Sequence, residues 1–290
     1  MSSNKSNYRK RAIVFDVETT GLLPKKDPIT KKYPPFASWP HILQLSFAIY
    51  NVDTWSIERV YNSYVKVAPE IVIEPIITEL TGITRQIVDE HGIPIGDVLH
   101  EFYLEYLKCD VIVAHNIDFD KEMVLLEFRR LSMSIEDRCP FYGCVFNSVY
   151  NEAHGIEIYC TMSRGRERCN ILRDYKPKAP CPTIKIPNVP IQLLTPSGEL
   201  TDIFIHTAEL MGLSTFLGDE SITQTAHVAP KPQYKKAPKL SELYLHLFGE
   251  VPENLHNSLV DTLVCLRCFV KMRFKVEISK EKIFTHVIIN

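Results

Sequence analysis

Three short stretches place acids where they could do chemistry. In FDVETTG (15–21), Asp16 and Glu18 stand two positions apart at the end of an apolar run, RAIVFDVE (11–18). Side chains alternate along a strand, so both carboxylates project from one face. Side by side they repel each other, and a divalent cation would neutralise them; oxygen ligands of this kind suit Mg²⁺ or Mn²⁺ rather than zinc. A strand that simply ends in solvated acids has the same pattern. In VIVAHNIDFDKE (111–122), a strand runs into a helix with Asp118 and Asp120 near its start, where the helix dipole also favours acids. In ENLHNSLVDTLVC (253–265), Asn257 or Ser258 can cap a helix. Asp261 then lies one turn inside it, and His256 falls on the loop before. Loop and helix can bring this pair around one point, which leaves a metal ligand, a base and a surface histidine all open for His256.

The elements that must position these residues alternate. RAIVFDVE reads as a buried central strand, and ILQLSFAIYN (42–51) and SIERVYNSYVKV (56–67) as the next two, with a turn at Asn51–Asp53. PIITELTG (75–82) reads as a short helix ended by Gly82, and IPIGDVLHEFYLEYLK (93–108) as a longer one. DVIVAH (110–115) is a fourth strand, DKEMVLLEFRRLS (120–132) a helix with an apolar face, and GIEIYCTM (155–162) a fifth strand. KLSELYLHLFG (239–249) and SLVDTLVCLRCFVKMRF (258–274) are the last helices. Strands interleaved with helices imply an α/β fold with helices on the faces of a sheet.

The chain has 290 residues, 45% of them apolar and 23% charged, with a net charge of −2. That balance is globular, and the length can bury a substantial core. No apolar run approaches the 18 or more residues of a membrane span. The polar, basic start MSSNKSNYRKR lacks an apolar stretch behind it; a flexible leader over 1–10, no export signal and an intracellular location are expected. The eight cysteines are accordingly expected as thiols.

In this order, FDVETTG, AHNIDFD and HNSLVD resemble the three motifs of the DEDDh exonucleases of the ribonuclease H-like superfamily, a group that includes the proofreading subunit of the bacterial replicative polymerase. ELTGITRQIVDEHGIPIGDVLHEF and PKLSELYLHLFGE resemble that family's connecting segments. The resemblance covers residues 11–162 and 238–275. It implies an RNase H-like α/β fold with a mixed five-stranded sheet flanked by helices. It also implies that Asp16, Glu18, Asp120 and Asp261 hold two Mg²⁺ or Mn²⁺ ions, and that His256 acts as general base. Thr19, Thr20, Gly21, His115 and Asn116 are implied to lie against the substrate. The implied activity is 3′→5′ exonucleolytic hydrolysis from a single-stranded 3′ end, releasing nucleoside 5′-monophosphates, with DNA as the preferred substrate and RNA as the alternative. A catalytically silent module that binds nucleic acid or a polymerase is the reading of another class. A DNA polymerase is a candidate partner in trans, and no membrane partner is expected. Ser258 stands where many relatives have Ala, and LTGIT lacks the His that relatives often carry before Gly.

Two segments interrupt the alternation of strands and helices, and the second also departs from the family's usual spacing. LLPKKDPITKKYPPFASWP (22–40) brings Lys25, Lys26, Lys31 and Lys32 beside Tyr33, Phe36 and Trp39. These residues could grip a strand by charge and stacking, or the aromatics could pack onto the body. Residues 163–237 form an insertion into a domain expected at 11–162 and 238–290. Its opening carries Arg164, Arg166, Arg168, Arg173, Lys176 and Lys178, a phosphate-tracking edge or a solvated surface. Cys139, Cys144, Cys160, Cys169 and Cys181 with His154 match no common zinc spacing, and Cys265 and Cys268 read as core filling in a helix.

Overall fold

Apolar runs that alternate or continue unbroken must bury themselves on a sheet, and the longest of them are its central strands. The computed structural model describes residues 11–174, 191–194, 200–203 and 233–285; the expected leader lies outside them. The chain divides into two compact units, Met1–Ile171 with Lys235–Asn290, and Leu172–Tyr234.

In the first unit, β1 (Arg11–Thr19) lies between β2 (Ile42–Asn51), antiparallel to it, and β5 (Val111–Ala114), parallel to it. β3 (Ser56–Lys66) pairs antiparallel with β2, β4 (Ile93–Pro94) parallel with β3, and β6 (Glu157–Cys160) parallel with β5. The order is β4-β3-β2-β1-β5-β6. The sheet is mixed, as expected, and its five main strands are joined by a sixth of two residues at the edge. Pro94 of that short strand stands opposite Lys66, and the helix expected from residue 93 starts after it, as α3 (Ile95–Tyr106).

The helices α1 (Pro75–Thr81), α4 (Ile117–Leu131), α7 (Leu240–Phe248) and α8 (Ser258–Phe274) stand where apolar spacing predicts them, with α4 starting three residues early. Gly82 ends α1 in the left-handed region (φ 74°), the conformation that glycine adopts without a Cβ penalty. Four short helices were not expected: α2 (Arg85–His91), α5 (Ser148–His154), α6 (Thr161–Cys169) and α9 (Lys280–Phe284). α6 is almost wholly polar and buries only Thr161 and Gly165, so it carries no apolar stripe to read. It runs across residue 163, where the insertion was expected to begin, and lies in the first unit. Gly165 packs closely there: a Cβ would come 3.0 Å from Leu243 Cδ1 on α7, tight enough that the leucine would have to shift by a few tenths of an ångström. α9 follows α8.

Alternation along β1 divides the core. Ile13, Phe15 and Val17 face a cluster with Phe47, Phe102 and Phe146, whereas Ala12 and Val14 face α8 through Leu259, Leu263, Leu266 and Phe269. Asp16 and Glu18 continue the second face. α8 is covered by the sheet on one side and by Leu243 and Tyr244 of α7 on the other. That double burial explains why its sequence is apolar on nearly every side and why Cys265 and Cys268 are fully buried. No described helix is long and apolar enough to cross a membrane.

In the second unit, β7 (Leu172–Asp174) and β10 (Gln233–Lys235) form a two-stranded sheet, linked also by Gln233 Nε2 donating to Asp174 Oδ1 (3.0 Å). β8 (Ile191–Leu194) and β9 (Leu200–Ile203) pair antiparallel. Lys176 and Lys178 lie outside the described residues.

Candidate active site

Strands β1, β5 and β6 run parallel, so their C-terminal ends open along one edge of the sheet, the edge where α/β sheets commonly take ligands. A cleft of about 500 Å³ lies there. Its walls include Asp16, Glu18, His115, Asn116, Phe119, Asp120, Met162, Pro238, Leu240, Leu255, His256 and Asp261.

Each acid arrives by a different route. Asp16 and Glu18 project from the α8 face of β1. Asp120, in the first turn of α4, accepts the Val17 N–H at its Oδ1 (3.2 Å), which ties the second motif to the strand of the first. Asp118 is exposed on the same helix and does not line the cleft, so it is left as an N-terminal acid favoured by the helix dipole. Asp261 lies in the first turn of α8 and accepts the His256 N–H at Oδ2 (3.2 Å).

A buried polar strip sets the start of α8. Ser46, directly opposite Asp16 in the β1–β2 ladder, places its Oγ 2.6 Å from Ser258 Oγ, and Gln44 Oε1 accepts the Ser258 N–H (3.2 Å). Thr262 Oγ1 donates to the Ser46 carbonyl (3.3 Å), and Asn62 Oδ1 accepts from both Gln44 and Ser46 (2.9 Å each). Asn257 caps the helix, its Oδ1 accepting from the Leu259 and Val260 N–H groups at 3.1 and 3.4 Å. Ser258, in place of the family's Ala, is thus a full member of this network. The residues Gln44, Ser46 and Asn62 were not singled out in the sequence. The only signal there was a pair of polar residues in an otherwise apolar strand.

His256 sits on the loop before α8 with its backbone in the left-handed region (φ 70°), and its ring is exposed. One ligand atom from each of Glu18, His256 and Asp261 lies within 4.8 Å of the others, the one such group among the described residues. Cys139, Cys144, Cys160, Cys169 and His154 form none, and Cys181 lies outside the described residues.

The four carboxylates are mutually destabilising when charged. Burial raises Asp16 well above the usual carboxylate range, and the charges of Asp120, Asp261 and Glu18 add to it. Burial, then Asp261 and Asp120, push Glu18 up to about 8. Burial raises Asp120 and Asp261 too, the latter to about 7, against the opposing pull of the N–H groups they accept. Asp261 Oδ1 is buried with no hydrogen-bond partner. A buried acceptor without a donor costs about 1–3 kcal/mol, and a cation ligated by that oxygen removes the cost. The donor set therefore fits hard divalent cations.

The other expected residues fall into two groups. Asn116 lines the cleft from the N-cap of α4 (φ 67°). His115 also lines it, but both ring nitrogens are engaged: Nδ1 is 3.0 Å from Thr161 Oγ1 and Nε2 3.1 Å from the Pro238 carbonyl. Burial lowers its pKa to about 4, so the ring is neutral near pH 7 and donates through one nitrogen only. Thr20 and Gly21 line an adjoining cleft of about 280 Å³ with Leu22, Trp39 and His41. Thr20 is held by the His41 N–H donating to its Oγ1 (2.9 Å), and Thr19 Oγ1 donates to the Gly21 carbonyl (2.7 Å).

The basic opening of the expected insertion is partly spent on packing. Arg168 donates to the Met272 carbonyl near the end of α8 (2.8 Å), and Arg164 lies over the Tyr159 ring (5.4 Å).

Residues 13–165 match the RNase_T family, described as Exonuclease. The chain is 30% identical over 125 residues to "DNA polymerase III PolC-type" of Caldanaerobacter subterraneus subsp. tengcongensis, a match covering 43% of this chain and 8% of that protein. It is 30% identical over 129 residues to "3′-5′ exonuclease DinG" of Bacillus subtilis, covering 44% and 12%. It is 26% identical over 139 residues to "DNA polymerase III subunit epsilon" of Buchnera aphidicola, covering 48% and 54%. The chain thus spans about a tenth of the first two relatives and about half of the third. In fold it is similar to Escherichia coli exonuclease I, whose structure holds a dT13 oligonucleotide, with a TM-score of 0.50 at 14% identity over 92% of this chain and 42% of that one. The chain belongs to the RNase_T exonuclease family, within the RNase H-like superfamily.

Proposed function

We propose that this protein is a metal-dependent 3′→5′ exonuclease that hydrolyses single-stranded DNA from its 3′ end and releases nucleoside 5′-monophosphates. The observation that carries the reading is the convergence of Asp16, Glu18, Asp120 and Asp261, from three separate elements, on one cleft beside His256, with one carboxylate oxygen of Asp261 buried and unpartnered. Charged acids so withdrawn from water need cations, and these four would hold two of them, Mg²⁺ or Mn²⁺. Bound ions of this kind polarise a phosphoryl oxygen, lower the pKa of water and stabilise a leaving oxygen.

The chain's own residues supply the rest. His256, exposed at the mouth of the cleft, can take the proton from the attacking water at a ring nitrogen, a task suited to an imidazole. The hydrogen bond from its backbone to Asp261 couples the position of that base to the metal-binding helix. Thr19, Thr20 and Gly21 directly follow Glu18 in the chain and would receive the terminal nucleotide, together with Asn116, which lines the cleft of the acids.

A second role for His256 has an observation in its favour: its ring nitrogen lies within 4.8 Å of Glu18 and Asp261 carboxylate oxygens, close enough for one ion to take all three. Nitrogen with two carboxylates suits Mn²⁺ or Zn²⁺ better than Mg²⁺. Titration calorimetry separates the roles: a base-only histidine leaves Mn²⁺ affinity intact in His256→Ala, and a ligand loses it.

The deciding experiment for the activity is digestion of a 5′-labelled single strand with Mg²⁺ or Mn²⁺, DNA and RNA in parallel, against Asp16→Ala. Stepwise shortening by wild type alone supports the reading. Wild type indistinguishable from Asp16→Ala in both metals overturns it and leaves a binding module. The names of the relatives place similar domains in DNA polymerase III, and we extend the proposal to a polymerase partner in trans; co-elution with a polymerase on size exclusion is its test.

A further inference from the structure

The loop between β1 and β2 has a construction that the catalytic cleft does not use. Residues 22–40 contain five prolines, Pro24, Pro28, Pro34, Pro35 and Pro40, and four lysines against one acid, Asp27. The carboxylate of Asp27 is taken up within the loop, accepting the Ile29 and Thr30 N–H groups at 2.9 and 2.6 Å. Lys25, Lys26, Lys31 and Lys32 are all exposed, and none pairs with a carboxylate among the described ion pairs.

The aromatics of the loop form a surface rather than a core. Trp39 sits between Tyr33 and Phe36, with ring centroids 5.6 and 5.8 Å away. Its Nε1 donates to the Pro34 carbonyl (3.1 Å). Yet Tyr33 remains 51% and Phe36 45% exposed. Lys26 Nζ lies 5.3 Å over the Tyr33 ring. The base of the loop is fastened to α4, the helix that carries Asp120. Arg130 donates to the Trp39 and Pro40 carbonyls (2.8 and 2.9 Å), lies 5.6 Å from the Phe36 ring centroid, and is itself paired with Glu127 (2.7 Å). Prolines and this anchorage limit the entropy that the loop would lose on binding.

Position ties the loop to the site. Gly21 follows Glu18 by three residues, a reach of at most about 11 Å, and Trp39 and Pro40 share the adjoining cleft with Thr20 and Gly21. Glu70 and Glu74 also line that cleft, so phosphates are repelled there and attracted to the exposed lysines of the loop.

We propose that this loop is a docking surface for the single-stranded DNA lying 5′ of the nucleotide being removed. The lysines track its phosphates and Tyr33 and Phe36 offer faces to its bases. The proposal rests on the exonuclease reading for the direction of the strand. The occupant follows from charge complementarity joined to exposed aromatic rings, the pairing that single-strand binding requires and a protein partner's acidic surface does not.

The test compares the full chain with a variant in which Lys25, Lys26, Lys31 and Lys32 are all replaced by Gln, and with Tyr33→Ala. Binding of fluorescent oligothymidylate is read by anisotropy in Ca²⁺ over a salt series, and hydrolysis of the dinucleotide dTpdT and of long oligothymidylate is read in Mg²⁺. Four phosphate contacts predict a log–log salt slope shallower by about 3 in the lysine variant. Tyr33→Ala should weaken binding about tenfold. The loss of kcat/KM should grow with strand length, large on the long strand and small on dTpdT. An unchanged salt slope, or equal losses on both lengths, overturns the proposal. So does a loss on oligouridylate with none on oligothymidylate. Should the fourfold variant misfold by circular dichroism, the pairs Lys25→Gln/Lys26→Gln and Lys31→Gln/Lys32→Gln carry the same measurement at half the slope. Failure of wild type to cleave either length would sink the exonuclease reading, while the anisotropy arm would still decide whether the loop binds DNA.

Discussion

His256 and Asp261 share one backbone-to-carboxylate hydrogen bond but have separate tasks in the proposed reaction. Replacing the imidazole leaves the four acids in place, so His256→Ala should keep metal binding and lose most turnover, about 10²–10⁴-fold for a general base. Asp261→Ala should lose both. Turnover near wild type in His256→Ala would remove the base assignment without touching the fold. The carboxylates themselves make a pH prediction. A carboxyl whose folded pKa is raised binds its proton more tightly in the native state than in the unfolded one. Stability without metal is then full below the unfolded pKa, near 4, and is lost as pH rises toward the folded values of about 7 for Asp261 and about 8 for Glu18. Thermal melts in EDTA should fall from pH 5 to pH 8, and Mg²⁺ or Mn²⁺ should raise Tm more at pH 8 than at pH 5. A flat profile would mean that the acids are not desolvated together. By the same reasoning Glu18→Gln should stabilise the metal-free protein by about 0.5–2 kcal/mol while abolishing activity.

At the scale of elements, the position of Asp261 depends on how α8 begins. Ser258→Val would remove the Ser258 hydroxyl from the buried Ser46 Oγ, while the backbone N–H at 258 still donates to Gln44 and Ser46 still donates to Asn62, at a cost of about 1 kcal/mol. Because Ser46 lies opposite Asp16, kcat should fall along with Tm, although Ser258 touches no substrate. A variant that loses stability yet keeps kcat would show the strip to be structural alone. His115 has a similar place between elements: it joins the end of β5 to Thr161 at the start of α6 and to Pro238 before α7. Those contacts were hidden in the sequence, where a histidine within a motif reads as a substrate contact, and His115 lines the cleft as well. The short polar helices α2, α5 and α6 were hidden for a related reason. Each is held by caps and neighbours rather than by an apolar stripe of its own.

Across the whole molecule, the first unit is assembled from two stretches of chain, Met1–Ile171 and Lys235–Asn290. The Lys236 N–H donates to the Ile171 carbonyl (2.8 Å), so the two chain ends bordering Leu172–Tyr234 are adjacent within the first unit. Replacing 172–234 by a short Gly-Ser turn should leave a folded exonuclease domain, checked by a cooperative melt within a few degrees of the full chain. Loss of cooperative unfolding would show that the core depends on the second unit. The division of labour between sequence and structure follows the range of the forces involved. The sequence alone determined the acids, their pairing on one face of β1, the capped helix carrying Asp261 and the family, because alternation, capping and motif spacing are local properties of the chain. Only the tertiary structure decided that α8 packs on the face of β1 that bears Asp16 and Glu18, and that Gln44, Ser46 and Ser258 lock it there. It also decided that the lysine loop is fastened to the helix of Asp120. Those are contacts between distant segments, selected by shape and burial, and no window of sequence contains both sides of them.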